Sequence, residues 1–125
     1  MKRDMEVVRK LLMFFEGKET PEAVEPASIA VPGFDKAEVH YHVLLMCEAG
    51  LLVHERIESS TTPSRLVDAL PFTLSWAGHE FLDAARDEGL WRQALNHIRS
   101  AGISVGIGLL EGVLISLAKQ RLGLA

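Results

Sequence analysis

The chain has 125 residues, 48% of them hydrophobic, with a formal charge of −4 and a single cysteine. That length and apolar content provide for a compact core and exclude disorder as the state of the whole chain. The negative balance gives no general attraction to nucleic acid or anionic lipid, and Cys47 alone cannot form an internal disulfide. A reducing, cytoplasmic setting is therefore expected. The start Met1-Lys2-Arg3 meets Asp4 and Glu6 at once instead of an apolar run, so no secretory leader is expected there.

The first predicted helix begins at Asp4, a capping residue. Met5, Val8, Leu11, Leu12 and Phe15 follow at spacings of three and four, the period of one buried helical face. Lys2, Arg3, Arg9 and Lys10 fall on the side expected to face solvent, and Gly17 is the expected stop. Residues 18–33 hold three acids and three prolines and read as a loop. Within it Ile29-Ala30-Val31 is a candidate edge strand closed by Pro32-Gly33.

Asp35, with Glu38 three residues on, resembles a capping box and opens a second helix to about Ala49. Val39, Val43, Leu45 and Met46 are expected to face inward, and Gly50 to supply a left-handed stop. Leu51 to Ile57 then alternates as a strand, with Leu51, Val53 and Ile57 on one side. Residues 59–64 have turn chemistry, and Phe72-Thr73-Leu74 is the predicted return strand.

Ser75 is the expected cap of a third helix, where Trp76, Phe81, Leu82 and Ala85 supply apolar surface. Gly89 interrupts it. Leu90, Trp91, Ala94, Leu95 and Ile98 continue as another amphipathic helix ending at Gly102. The order helix, short strand, helix, hairpin, helix predicts an α+β winged helix over residues 1–88. Residues 89–125 would be a C-terminal helical extension, a candidate oligomerisation element.

Three stretches also look familiar together: "MKRDMEVVRKLL", "YHVLLMCEAGLL" and "LSWAGHEFLDAARDEGLW". In this order they resemble an uncharacterised bacterial and phage family of small winged-helix proteins. That family is known only as a domain of unknown function and is similar to the YjcQ-like proteins. The resemblance spans nearly the whole chain and implies a winged-helix fold and a bacterial, phage or mobile-element origin. It brings no catalytic residue. Leu44 makes the middle helix greasier than is usual, and the loop 19–33 leaves little room for a separate second helix.

Duplex reading requires cations for phosphates and donors for base edges. The outer face of the middle helix offers Asp35, Lys36, Glu38, His40 and, as a further candidate, His42, of which only Lys36 is a standing cation. The hairpin sets Arg56 and Arg65 against Glu55, Glu58 and Asp68. Residues 34–70 sum to −3, and no basic stripe emerges. Lys36, His40, Arg56 and Arg65 are the candidate contacts with DNA or with a protein partner. The winged-helix reading puts a DNA-binding, transcription-regulator-like module first. Its alternative is a protein–protein adaptor without DNA contacts.

Enzyme signatures fall short. "HEFLD" puts Asp83 where a zinc-protease helix needs its second histidine, with no third ligand nearby in sequence. His40 and His42, two apart on a helix, diverge too far to chelate together. Cys47 sits in an apolar helix, where a thiol is usually inert. "GISVGIG" lacks the lysine and hydroxyl of a phosphate loop. No catalytic residue, cofactor, metal or small-molecule substrate is expected.

From Ser100 to Ala118 the only charge is Glu111. The stretch is marginal in length for a membrane span, and a carboxylate at its centre costs about 2.5–3.5 kcal/mol on insertion, so a membrane role is disfavoured. Ser104, Gly108, Gly112 and Ser116 recur every four residues as a groove of small side chains. Ile103, Ile107, Leu110, Leu114 and Leu117 form a ridge beside it. This pattern fits packing onto the chain's own helices or a homo-oligomer seam. The seam would comprise Ser104, Ile107, Gly108, Leu110, Gly112, Leu114 and Ser116.

Overall fold

In the computed structural model, residues 1–62 and 66–124 are described. Five α-helices accompany one two-stranded antiparallel sheet among them: an α+β chain. The order is α1 (Met5–Glu16), a single 3-10 turn (Pro26–Ser28), α2 (Lys36–Glu48), β1 (Leu52–Glu58) and β2 (Leu66–Leu74). Then come α3 (Trp76–Ala85), α4 (Glu88–Ser100) and α5 (Ile107–Arg121). The chain divides into two compact units, Met1–His79 and Glu80–Ala125, with the division inside α3.

In the first unit, Asp4 caps α1 by accepting the Glu6 N–H at 2.9 Å. The anticipated face of Met5, Val8, Leu11, Leu12 and Phe15 is buried. Arg9, expected on the solvated side, is only 8% exposed, and Val7 is buried beside it. The buried face is wider than one stripe because α1 packs against both α2 and β2.

No strand forms at residues 29–31. Ile29 and Val31 are buried, but their backbone serves turns: the Ile29 N–H donates to the Pro26 carbonyl and Val31 accepts from the Phe34 N–H. The earlier part of the same loop, residues 18–24, is held to β2. The Val24 N–H donates to the Pro71 carbonyl at 2.9 Å, and the Lys18 ammonium donates to the carbonyls of Glu22 and Phe72.

Asp35 starts α2 by accepting the Glu38 N–H at 2.8 Å. Gly50 ends it at φ +77°, with Gly50 N–H bonded to Cys47 and Leu51 N–H to Met46. That double closure is a Schellman motif, which requires the left-handed conformation a glycine adopts freely. Val39, Val43 and Met46 face inward as expected, whereas Leu45 is half-buried.

His42, read as a residue near the open face, is fully buried. Its Nε2 accepts the Asp4 N–H at 2.7 Å and its Nδ1 donates to the Glu38 carbonyl at 2.7 Å. A backbone N–H can only donate, so the ring hydrogen sits on Nδ1. The imidazole therefore ties the start of α1 to the body of α2.

The hairpin departs from expectation in length and in the place of Leu51. Leu51 is used in closing α2, so the strand begins at Leu52 and Leu51 does not share the face of Val53 and Ile57. Those two share one side as expected and stand 51% and 49% exposed, while Leu51 and Leu52 are buried. The return strand starts at Leu66, well before the anticipated Phe72. Its pairing skips Val67 and Phe72, so both irregularities lie on β2. Such bulges accommodate Pro71, which has no N–H for a ladder, while β1 keeps its alternation.

Ser75 caps α3 as expected: its Oγ accepts the Gly78 N–H at 3.1 Å and donates to the Gly50 carbonyl. Phe81, Leu82 and Ala85 are buried, but Trp76, expected to join them, is 82% exposed. It occupies the first helical position, ahead of the buried face.

In the second unit, the helix break falls at Arg86-Asp87 and not at Gly89, which lies in the first turn of α4. Asp87 caps that helix through the Leu90 N–H at 2.8 Å. Leu90, Trp91, Ala94, Leu95 and Ile98 are its buried face, as the spacing predicts. Phe81 meets Trp91 edge to face, with ring centroids 6.5 Å apart. Helix α5 packs on α4, and Arg121 near its end bonds Asp87 at 2.9 Å. Antiparallel packing follows from that contact.

Candidate recognition surface

The start of α2 and the β1–β2 hairpin carry most of the candidate contact residues. Lys36, one residue beyond the Asp35 cap, is exposed and has no ion-pair partner among the described residues. His40 is placed otherwise: its Nε2 meets Asp68 Oδ1 on β2 at 2.9 Å. Arg56 donates from Nε to Glu58 Oε1 at 3.1 Å along β1. Arg65 lies outside the described residues. The structure thus joins His40 to an acid of the hairpin and Arg56 to its own strand neighbour, and it does not assemble Lys36, His40 and Arg56 into one basic surface.

The His40 contact has an electrostatic signature. Hydrogen bonding from His40, with a further bond from the Ala69 N–H, holds the Asp68 carboxyl below its ordinary value of 3.8. A depressed folded value means that the contribution is present above the ordinary value and is lost as pH falls through the folded one. Both side chains are more than a third exposed, so the contribution is below about 1 kcal/mol. His40→Ala is expected to lower the urea midpoint slightly at pH 6. The difference from wild type should vanish on acidification below the Asp68 value; a difference persisting there would show that His40 acts through packing.

Other chemically able groups are disengaged from one another. Cys47 is buried, and burial, followed by the charges of Asp68 and Glu48, pushes its thiol up to about 12. A thiol that resists ionisation is a poor nucleophile. Asp83 of "HEFLD" bonds Arg86 at 3.1 Å. Among the described residues no three His, Cys, Asp or Glu side chains converge as a metal site.

The terminal stretch sorts differently from the seam read in the sequence. Ser104 precedes the helix, which starts at Ile107. Gly108, Gly112 and Ser116 lie exposed on α5, and Ile107 is half-buried. Leu110 and Leu114, placed in the seam beforehand, are 0% exposed. Packing of α5 on α4 takes up Leu110, Leu114 and Leu117 of the ridge, which belong to the interior, whereas Ile103 of the same ridge precedes the helix and is exposed. Within α5, Leu109 and Ile115 are large apolar residues left outside, next to the glycines. No helix among the described residues is long and apolar enough to cross a membrane.

Sequence reasoning missed the outward Val53, Ile57, Val67 and Trp76.

Among the described residues, five helices and one two-stranded hairpin make a small α+β chain. The chain belongs to the family described as "Hypothetical protein (DUF2513)", whose model matches residues 2–104. It is also 31% identical over 124 residues to an uncharacterized protein of Haemophilus influenzae, covering 98% of this chain and 99% of that one. No solved structure matches it.

Proposed function

We propose that residues 1–79 form a winged-helix module of the regulatory type, non-enzymatic, with α2 and the β1–β2 hairpin as its recognition surface. Its partner in this reading is a protein. The observation that carries the choice is the state of the hairpin's charges. Arg56 is already neutralised by Glu58 and His40 by Asp68, whereas Val53 and Ile57 stand half-exposed in β1. Residues 1–79 hold eight Lys and Arg against twelve Asp and Glu, a balance that opposes phosphate binding. Exposed aliphatic groups rimmed by charge are what protein interfaces desolvate.

DNA binding is the second reading, favoured by exposed Lys36 at the N-terminus of α2. There the helix dipole and free N–H groups add to the cation's attraction for phosphate. Alongside either partner, the exposed α5 face of Gly108, Leu109, Gly112, Ile115 and Ser116 is proposed to join two copies of the chain.

Salt dependence and substitution separate the two readings. Fluorescence anisotropy with a labelled duplex is expected to show no binding at about 50 mM salt, where duplex readers bind most tightly. A tagged chain should retain a protein from bacterial extract that the Ile57→Asp variant loses. Steeply salt-dependent duplex binding, lost in Lys36→Ala, would overturn the protein reading and establish the DNA one.

A further inference from the structure

The hairpin offers a second kind of contact besides side chains. The sheet has two strands, so each has one edge without a strand neighbour. The far edge of β2 is engaged where Pro71 accepts the Val24 N–H. Along β1, no backbone group of Val53–Glu58 bonds outside the ladder to another backbone group among the described residues. Natural edges are blunted by charged side chains, lysine above all, by proline or by bulges, and the charges of β1 are Glu55, Arg56 and Glu58. β1 contains no Lys or Pro, and both irregularities of pairing lie on β2.

Strand alternation then sorts the side chains of β1. Val53, Glu55 and Ile57 share one face, all exposed. Arg56 and Glu58 share the other and neutralise each other at 3.1 Å. Glu55 has no ion-pair or hydrogen-bond partner among the described residues. The edge therefore displays an aliphatic residue, a carboxylate unpaired among the described residues and another aliphatic residue in alternate positions.

We propose that the free edge of β1 captures an extended segment of the partner protein as an added strand, one carrying Lys or Arg between two β-branched residues at alternate positions. The unpaired backbone supplies the main-chain bonds, Glu55 the charge for the basic residue, and Val53 and Ile57 the apolar flanks. A second copy of the chain fits poorly. Antiparallel pairing of β1 over its whole length, Leu52–Glu58, sets Glu55 opposite its own copy, and like charges directly opposed are destabilising. The inference rests on the protein-partner reading and specifies how that partner binds.

The test uses the full chain and two capped peptides, Thr-Val-Thr-Lys-Thr-Val-Thr and the same sequence with Glu for Lys, followed by anisotropy and amide hydrogen exchange. Wild type is expected to bind the Lys peptide about tenfold more tightly than the Glu peptide, a ratio equivalent to about 1.4 kcal/mol. Glu55→Lys should invert that preference, and alternate amides of Val53–Glu58 should gain protection on binding. Binding that leaves the β1 amides unprotected, or a preference unchanged by Glu55→Lys, overturns strand addition. So does failure of both peptides to bind. If the Ile57→Asp variant still loses a protein that wild type retains, only strand addition falls; steeply salt-dependent duplex binding by wild type removes the protein reading itself.

Discussion

Gly78→Ala is expected to destabilise the Met1–His79 unit by about 3 kcal/mol, the upper end of ordinary overpacking. A β-carbon at residue 78 would lie 2.2 Å from the Leu51 carbonyl oxygen and 3.3 Å from a methyl of Leu74. The first obstacle is backbone, so no rotamer change relieves it. Nor can Leu51 retreat: its N–H closes α2 on Met46 and its carbonyl accepts the Ser75 N–H at 2.9 Å. Moving α3 outward instead breaks that bond and the Ser75 cap on the Gly78 N–H. The melting temperature should fall by roughly 10 °C.

The same substitution at Gly112 is the internal control. Nothing lies within 4 Å of a β-carbon there, and the residue is inside α5. Gly112→Ala should raise stability by up to about 1 kcal/mol through helix propensity. Opposite signs for one chemical change would tie the Gly78 effect to the close approach. Near-wild-type urea unfolding of Gly78→Ala would show that the α2–β1 corner yields easily, and the rigid recognition surface would lose its support.

What the sequence makes legible is mostly local. Asp4, Asp35 and Ser75 bond N–H groups two or three residues ahead, so each cap is contained in a few letters. Gly50 and the buried face of α4 are likewise readable from spacing. The failures come from distant partners. Nothing near residue 40 announces Asp68, 28 residues away, and nothing near residue 42 announces the Asp4 N–H. Arg9 counts as surface until α1 is found packed on two elements.

The hairpin is misread for a different reason. Leu51 is absorbed in the closure of α2 and leaves the strand face that Val53 and Ile57 still share, and alternation alone does not say that this face is the exposed one. The length of β2 was hidden by Pro71, a residue that marks a strand boundary unless bulges accommodate it. In both places the error fell on the β1–β2 hairpin.

Leu114→Ala is expected to destabilise the Glu80–Ala125 unit by about 3 kcal/mol, as large-to-small changes at buried leucines do. The helix α5 is apolar around much of its circumference, so its sequence offers two competing seams. One is the ridge of Leu110, Leu114 and Leu117; the other is the row of Gly108, Gly112 and Ser116. The structure buries the first and exposes the second. Emptying the Leu114 site removes packing and leaves a cavity, while the exposed row is untouched. The mass by light scattering should therefore stay that of wild type under conditions where the variant remains folded. Gly108→Leu with Gly112→Leu should do the reverse, reducing mass with little change in the urea midpoint, because both sites are exposed and a β-carbon at either has no neighbour within 4 Å. If Leu114→Ala dissociates a wild-type oligomer while leaving unfolding unchanged, the ridge is the intermolecular seam. If the double glycine variant keeps its mass, the exposed row joins nothing.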